Sequence, residues 1–200
     1  MTLDDAVFEL DVYRTSMRAA QKKTSPGNFV EIGDFTAGTP LYIFFDEKTK
    51  LRIGKFCTIG GGVQIVLGYE HPIRFISTFA FNYSLPSFAG TEGCPGTKGD
   101  INIGNDVWLA SDCKILSGVS IGDGAVIGAS ALIAKDVPPY AIVGGNPQRI
   151  IRYRFAPQVI EKLLEIKWWD FEDKHLCSVI PFLQSEDTNA LFDYWERNVK

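Results

Sequence analysis

Histidine is scarce in this 200-residue sequence, which has only His71 and His175, and two imidazoles are too few for a three-histidine zinc site. The four cysteines, Cys57, Cys94, Cys113 and Cys177, have neither close pairing nor metal-ligand spacing, so they read as reduced packing residues and no metal is expected. No segment approaches the ~20 apolar residues of a membrane-spanning helix. Asp4, Asp5 and Glu9 stand where a targeting leader would be basic, so the expectation is a cytoplasmic protein with no membrane partner. Positive charge is also in deficit: 20 Lys and Arg against 24 Asp and Glu leave a net charge of −4, which argues against a nucleic-acid surface. What remains is 46% apolar and 22% charged, the balance of one globular unit.

What is present in abundance is a period of six. Ile103, Leu109, Ile115, Ile121, Ile127 and Ile133 are followed at position two by Gly104, Ala110, Leu116, Gly122, Gly128 and Ala134. Position five holds Val107, Cys113, Val119, Ala125, Ala131 and Val137. Neither a helix nor an ordinary strand has this spacing; it marks a parallel β-helix. Ile53, Ile59 and Ile65 repeat it upstream, with Gly54 and Gly60 second and Cys57 and Val63 fifth. Three short strands per coil make a triangular prism whose first hexad position points inward, with small residues where the chain turns between faces. Residues 103–138 then form two coils, residues 53–70 one more, and residues 32–37 a looser hexad.

An insertion, residues 71–102, breaks the period, and long loops within repeat domains are commonly functional. The expected organisation is an N-terminal segment over 1–30, a β-helix domain over 31–155 containing that insertion, and a helical extension over 156–200. Val7, Leu10, Val12 and Met17 suggest one helix within residues 1–24. Val159, Ile160, Leu163, Leu164 and Trp168 predict a helix with Pro157 in its first turn. Further helices are expected at 173–183 and 188–199, and the expected task of all three is to cap the open end of the prism.

His71 opens the insertion where the coil stops, and a neutral imidazole is suited to take a proton from a hydroxyl or amine. His175 falls in a polar helical segment. Glu70, just before His71, either raises the imidazole pKa or faces solvent. Tyr69 is large at a fifth position where other hexads are small. Phe75, Phe79 and Phe81 in the insertion, together with Tyr42, are candidate acceptor-binding residues, although aromatic clusters also anchor loops.

The run Ile53-Gly54-Lys55-Phe56-Cys57-Thr58-Ile59-Gly60, then His71 with Ser77-Thr78-Phe79-Ala80-Phe81, then Ile103-Gly104-Asn105-Asp106-Val107-Trp108 resembles the hexapeptide-repeat acyltransferases. Pro139-Tyr140-Ala141-Ile142-Val143-Gly144-Gly145-Asn146-Pro147, with Arg154-Phe155 and Trp168-Trp169, narrows the resemblance to the xenobiotic acetyltransferase subgroup, over about residues 30–175. That subgroup includes chloramphenicol and streptogramin acetyltransferases and related sugar acetyltransferases.

The resemblance implies a mainly β protein, a left-handed parallel β-helix with a long inserted loop and C-terminal helices, assembled as a homotrimer with sites between subunits. It implies acetyl-CoA as donor and His71 as the base that deprotonates the acceptor for direct attack on the thioester, with no covalent enzyme intermediate. By position it places Trp108, Ala110, Ser111, Ala129, Ala134, Lys135, Asn146, Arg149 and Arg152 along the coenzyme. A backbone N–H near Ala110 or Ser111 is a candidate oxyanion donor. Small residues would leave backbone groups open to the pantetheine arm, and the arginines would meet phosphates. Corners need small residues in any case, and Trp108 could equally pack against a neighbouring subunit. The region Phe35-Thr36-Ala37-Gly38-Thr39-Pro40-Leu41-Tyr42 lacks the tyrosine- and histidine-rich stretch of the antibiotic enzymes. That places a polysaccharide sugar ahead of an antibiotic as the acceptor. A non-catalytic trimeric scaffold is the alternative of another class.

Overall fold

Burial follows the six-residue period. In the computed structural model, which describes residues 2–24, 29–43, 49–94 and 96–200, every first-position residue from Ile53 to Ile65 and from Ile103 to Ile133 is buried. Residues 25–28, inside the expected N-terminal segment, lie outside the described residues.

The chain begins with α1 (Leu3–Thr24), followed by β1 (Val30–Ile32), β2 (Leu41–Ile43), β3 (Leu51–Ile53), β4 (Thr58–Ile59) and β5 (Gln64–Val66). A short α2 (Phe81–Ser84) and a single 3₁₀ turn occupy the insertion. The repeat resumes with β6 (Ile101–Ile103), β7 (Trp108–Leu109), β8 (Lys114–Leu116), β9 (Ser120–Ile121), β10 (Val126–Ile127) and β11 (Leu132–Ile133). It ends in β12 (Ala141–Gly144) and β13 (Arg149–Tyr153), after which come α3 (Pro157–Ile166), α4 (Asp173–Leu183) and α5 (Thr188–Asn198). The chain is thus mixed in helix and strand rather than mainly β, because each pass across a prism face needs only a few extended residues.

The strands form three sheets in the orders β1-β3-β6-β9, β13-β12-β10-β7-β4 and β11-β8-β5-β2, parallel except for the β12–β13 pair. These are the first, second and third faces in the order listed. Register stacks the interior residues coil on coil: Ile32, Ile53, Ile103 and Ile121 on the first face, Ile59, Leu109, Ile127 and Val143 on the second, and Tyr42, Ile65, Ile115 and Ile133 on the third. Residues 32–43 therefore make a coil of their own with a strand at Leu41–Ile43, not a single loose hexad. The fifth-position residues Val107, Cys113, Val119, Ala125, Ala131 and Val137 are buried in the same cluster, so they fill the interior rather than merely shape turns. Each buried aliphatic side chain contributes about 1.5–3 kcal/mol.

The fourth hexad position makes the corner. Phe35, Phe56, Gly62, Asp106, Asp112, Gly118, Gly124 and Ser130 all have left-handed backbone, with φ between 54° and 75°. Asp, Ser and Gly tolerate that region, whereas phenylalanine resists it. Phe35 and Phe56 are held there by packing: their rings stack at 4.6 Å, and Phe56 lies 4.9 Å from Trp168. Along this first corner the Lys55 N–H donates to Asn105 Oδ1 (2.8 Å) and the Asn105 N–H to Asp123 Oδ1 (2.7 Å). Consecutive coils are thereby clamped.

The helices pack along that corner and do not cap the prism end. Their cluster of Leu163, Ile166, Trp168, Trp169, Leu176, Val179, Leu191 and Trp195 takes in Phe35 and Phe56 from the early coils and Tyr140 from the last, with Leu10 of α1. Aromatic side chains at the corner offer apolar surface to the helices. Arg14 joins α1 to α4 through Asp173, and Lys55 Nζ lies 2.8 Å from Asp170 Oδ1. Among the described residues no helix is long and apolar enough to cross a membrane.

Ile115→Ala empties a fully buried site in the middle of the third-face stack and is expected to lower stability by about 2–5 kcal/mol in urea unfolding. A loss under about 0.5 kcal/mol would contradict the close packing of the interior.

Candidate active site

Where the third face should turn back to the first, the coil opens. Tyr69 has φ 75° and is exposed. Glu70 then pairs antiparallel with Gly96, its N–H donating to Gly96 O (3.0 Å) and its carbonyl accepting from the Gly96 N–H (2.8 Å). Regular pairing resumes at Ile101, and Asn102 already pairs with Ser120. The insertion thus ends two residues before the expected boundary at 102.

His71 is exposed on this insertion, and its Nδ1 lies 2.6 Å from the carbonyl oxygen of Thr78. A carbonyl oxygen only accepts, so Nδ1 carries the proton and Nε2 of the neutral ring keeps its lone pair. The Glu70 Oε1 accepts a 2.5 Å hydrogen bond from the Ser117 hydroxyl and lies 3.9 Å from Lys98 Nζ. His175 lies apart on α4, its Nδ1 3.1 Å from Tyr194 Oη.

On the insertion, Phe75, Ile76, Phe79, Phe81 and Phe88, with Arg74 and Glu92, line an open cavity of about 710 Å³ that Pro72, next to His71 in the chain, also borders. Phe79 and Phe81 meet edge to face at 4.9 Å. Tyr42 does not line it. Its ring packs on the prism interior in register with Ile65, where burial raises the phenol pKa. Partly buried against the prism interior, Tyr42 stands apart from this cavity within one chain.

The residues expected along a coenzyme fall into two groups. Register sets Trp108 in one row with Val126, Ile142 and Arg152 across the second face. Trp108 is 52% exposed although flanked by a coil on each side. Three strand spacings, roughly 14 Å, separate Trp108 from Arg152. Arg149 sits at the end of the same sheet opposite Gly144. On the adjoining second corner, Ser111, Ala129 and Asn146 follow one another in successive coils, exposed at their surface. Ser111 O accepts from the Ser130 N–H at 3.0 Å.

Ala134 and Lys135 lie at the far edge of the third face, and their N–H groups both donate to Gln148 Oε1 (2.6 and 2.9 Å). Those backbone groups are therefore not open to a ligand. Sequence reasoning missed Gln148, whose one signal is its place immediately after the Asn146-Pro147 turn. The Ala110 N–H is also taken, by Ile127 O at 2.9 Å. The Ser111 N–H has no carbonyl partner among the described residues. Within one chain, the third face of the prism separates His71 from the Trp108, Ser111 and Arg152 group.

Other reactive side chains are structural. Burial pushes the Cys57 thiol up to about 11 and the Cys113 thiol up to about 12. Arg154 pairs with Asp106 (2.9 Å) and donates to Gly124 O (2.8 Å), packed on the rings of Tyr140 and Phe155. Burial raises the Asp106 pKa against the opposing pull of Arg154. Among the described residues no group of three or more His, Cys, Asp or Glu side chains is arranged to hold a metal ion.

Comparison with known proteins finds the same period. The family model "Bacterial transferase hexapeptide (six repeats)" matches residues 100–135. A chloramphenicol acetyltransferase from Escherichia coli is 41% identical over 155 residues, 76% of this chain and 74% of that protein. Another from Agrobacterium fabrum is 43% identical over 159 residues, covering 77% and 76%. A virginiamycin A acetyltransferase from Staphylococcus aureus is 41% identical over 158 residues, covering 76% and 70%. Among solved structures, a hexapeptide-repeat acetyltransferase from Vibrio cholerae in complex with acetyl coenzyme A superposes with a TM-score of 0.53 at 23% identity, over 77% of this chain and 88% of that one.

The thiol environments yield a prediction. In the native protein at about pH 8, well below the raised thiol pKa values, N-ethylmaleimide should leave Cys57 and Cys113 unmodified by mass spectrometry, whereas the urea-unfolded chain should be labelled at both. Rapid native labelling of either would contradict a structural role.

Proposed function

The chain belongs to the hexapeptide-repeat acyltransferases, in the subgroup of xenobiotic acetyltransferases, and on that premise we propose that it transfers the acetyl group of acetyl-CoA to a hydroxyl of a small acceptor with His71 as general base. The observation that carries the reading is the bond from His71 Nδ1 to the Thr78 carbonyl. It leaves Nε2 to take the acceptor proton. The acceptor oxygen attacks the thioester carbonyl, the C–S bond breaks as the C–O bond is completed, and the CoA sulfur recovers the proton from the imidazolium. A thioester is already activated, so proximity and one positioned base supply much of the rate enhancement. Buried, protonated Cys57 and Cys113 take no part.

We read the coil as left-handed and the working assembly as a trimer, with His71 of one subunit facing the second-face groove of the next. Separation of His71 from the Trp108 to Arg152 row within one chain supports this, as does exposed apolar surface at Ile73, Ile76, Tyr83 and Trp108. In that groove Trp108 walls the thiol end of the coenzyme, Ser111, Ala129 and Asn146 flank the pantetheine arm, and Arg149 and Arg152 meet phosphates. Lys135 contributes its side-chain charge. The Ser111 N–H is the candidate oxyanion donor. The 1–30, 31–155 and 156–200 division describes the parts of this unit, with the helices bracing the first corner.

The acceptor is read as a hydroxylated small molecule, a sugar by the departures noted before Tyr42. A second reading, an antibiotic, is favoured by the aromatic lining of the insertion cavity, which suits an acceptor with an apolar face. Thiol release with acetyl-CoA, assayed with chloramphenicol and with a simple disaccharide, separates the two.

His71→Ala is expected to lower turnover by roughly 10²- to 10⁴-fold while acetyl-CoA binding is retained; unchanged turnover would remove the base assignment. Arg152→Ala should raise the KM for acetyl-CoA by roughly tenfold with kcat nearly constant, the pattern of a lost ground-state contact. A fall in kcat at constant KM would place Arg152 elsewhere in the reaction.

A further inference from the structure

The stem of the insertion is tied to the prism at one buried hydroxyl. Ser117, 3% exposed on β8's corner, donates to Glu70 Oε1 at 2.5 Å and accepts from the Lys98 N–H at 3.1 Å. Glu70 and Lys98 belong to opposite limbs of the stem, so one oxygen holds both limbs. Four further bonds close the same region: Glu70 pairs with Gly96 in both directions, Thr97 Oγ1 donates to Leu67 O (2.6 Å), and the Gly118 N–H donates to Gly99 O (3.0 Å). Gly118 has φ 75°, and a Cβ there would lie 2.8 Å from Lys98 O. The corner thus admits the stem only because it carries no side chain at 118 and a small hydroxyl at 117.

Glu70 precedes His71 directly. With the Glu70 side chain drawn to Ser117 and its backbone paired to Gly96, the chain from which His71 leaves is held in place, and the His71 ring reaches the Thr78 carbonyl. We infer that Glu70 and Ser117 form a positioning pair that sets the orientation of His71, with Glu70 acting through its hydrogen bond to Ser117 and not through its charge on the imidazole. The inference rests on the reading of His71 as the base.

The test uses Glu70→Ala, Ser117→Ala, their double variant, Glu70→Gln and His71→Ala, assayed with acetyl-CoA and whichever of chloramphenicol or the disaccharide the unaltered protein turns over. Misplacement of a catalytic group by about 1 Å is enough to lower rate by ~10²-fold, so Glu70→Ala and Ser117→Ala should each lower kcat roughly 10- to 100-fold, with the KM for acetyl-CoA unchanged. The double variant should be no worse than either single one, as for two halves of one interaction. Glu70→Gln keeps an acceptor oxygen for Ser117 and should retain kcat within about twofold with an unmoved acid limb of the pH profile. In a His71→Ala background, Glu70→Ala should cause no further loss. An acceptor-independent readout accompanies the kinetics: the His71 Nδ1–H resonance should persist in the wild type and in Glu70→Gln, and exchange away in Ser117→Ala.

Loss on His71→Ala together with full activity and a persistent Nδ1–H in Glu70→Ala and Ser117→Ala would overturn the positioning pair and leave the base in place. Equal damage by Glu70→Gln and Glu70→Ala, with a shifted acid limb, would overturn it in favour of a charge effect. Wild-type turnover in His71→Ala would instead refute the reading on which it rests.

Discussion

Everything in this molecule depends on the fit of six-residue hexads into the narrow interior of a triangular coil. In the regular hexads the first and the fifth residues are committed to that interior, and the fourth turns through left-handed backbone at most corners. The remaining positions are free for surface chemistry. Because the strands run parallel and in register, a residue chosen at one level lies directly beside its counterpart one coil away. Trp108 and Arg152 are therefore neighbours of a kind that sequence separation conceals: they share one row of one sheet.

The repeat was legible because steric demands at the interior are uniform; Ile103, Leu109, Ile115 and their successors have no alternative place. The helices at 157–166, 173–183 and 188–198 were legible from apolar spacing and from Pro157. What escaped was direction. Packing of α3 to α5 along a corner depends on Phe35 and Phe56 turning outward through unfavourable backbone, and hydropathy does not reveal which way an aromatic ring points. The strand holding Tyr42 escaped because a tyrosine does not look like an interior residue of a repeat otherwise built on isoleucine.

The site was legible in part for the same reason. His71 is conspicuous as a lone imidazole at the point where the period breaks. Its tautomer is set by a backbone carbonyl, Thr78, and the set of its chain by Ser117, a residue 46 positions later in the sequence. Neither residue type advertises such a role. Glu70 illustrates the limit most clearly: next to a histidine it invites an electrostatic interpretation, and only its bond to a buried hydroxyl assigns its carboxylate to the scaffold. The N–H groups of Ala110, Ala134 and Lys135 are paired with the coil and with Gln148, which the six-residue period does not reveal.

On the proposed reading, the scaffold fixes the proton of His71 on Nδ1 and leaves Nε2 as the base. With only two histidines in the chain, nitrogen-15 imidazole spectra near pH 8, assigned with a His71 variant, address it directly. For His71 a protonated Nδ1 and an unprotonated Nε2 are expected in the absence of any acceptor. A neutral ring with its proton on Nε2 would contradict it, because the atom required to accept the acceptor's proton would already carry one.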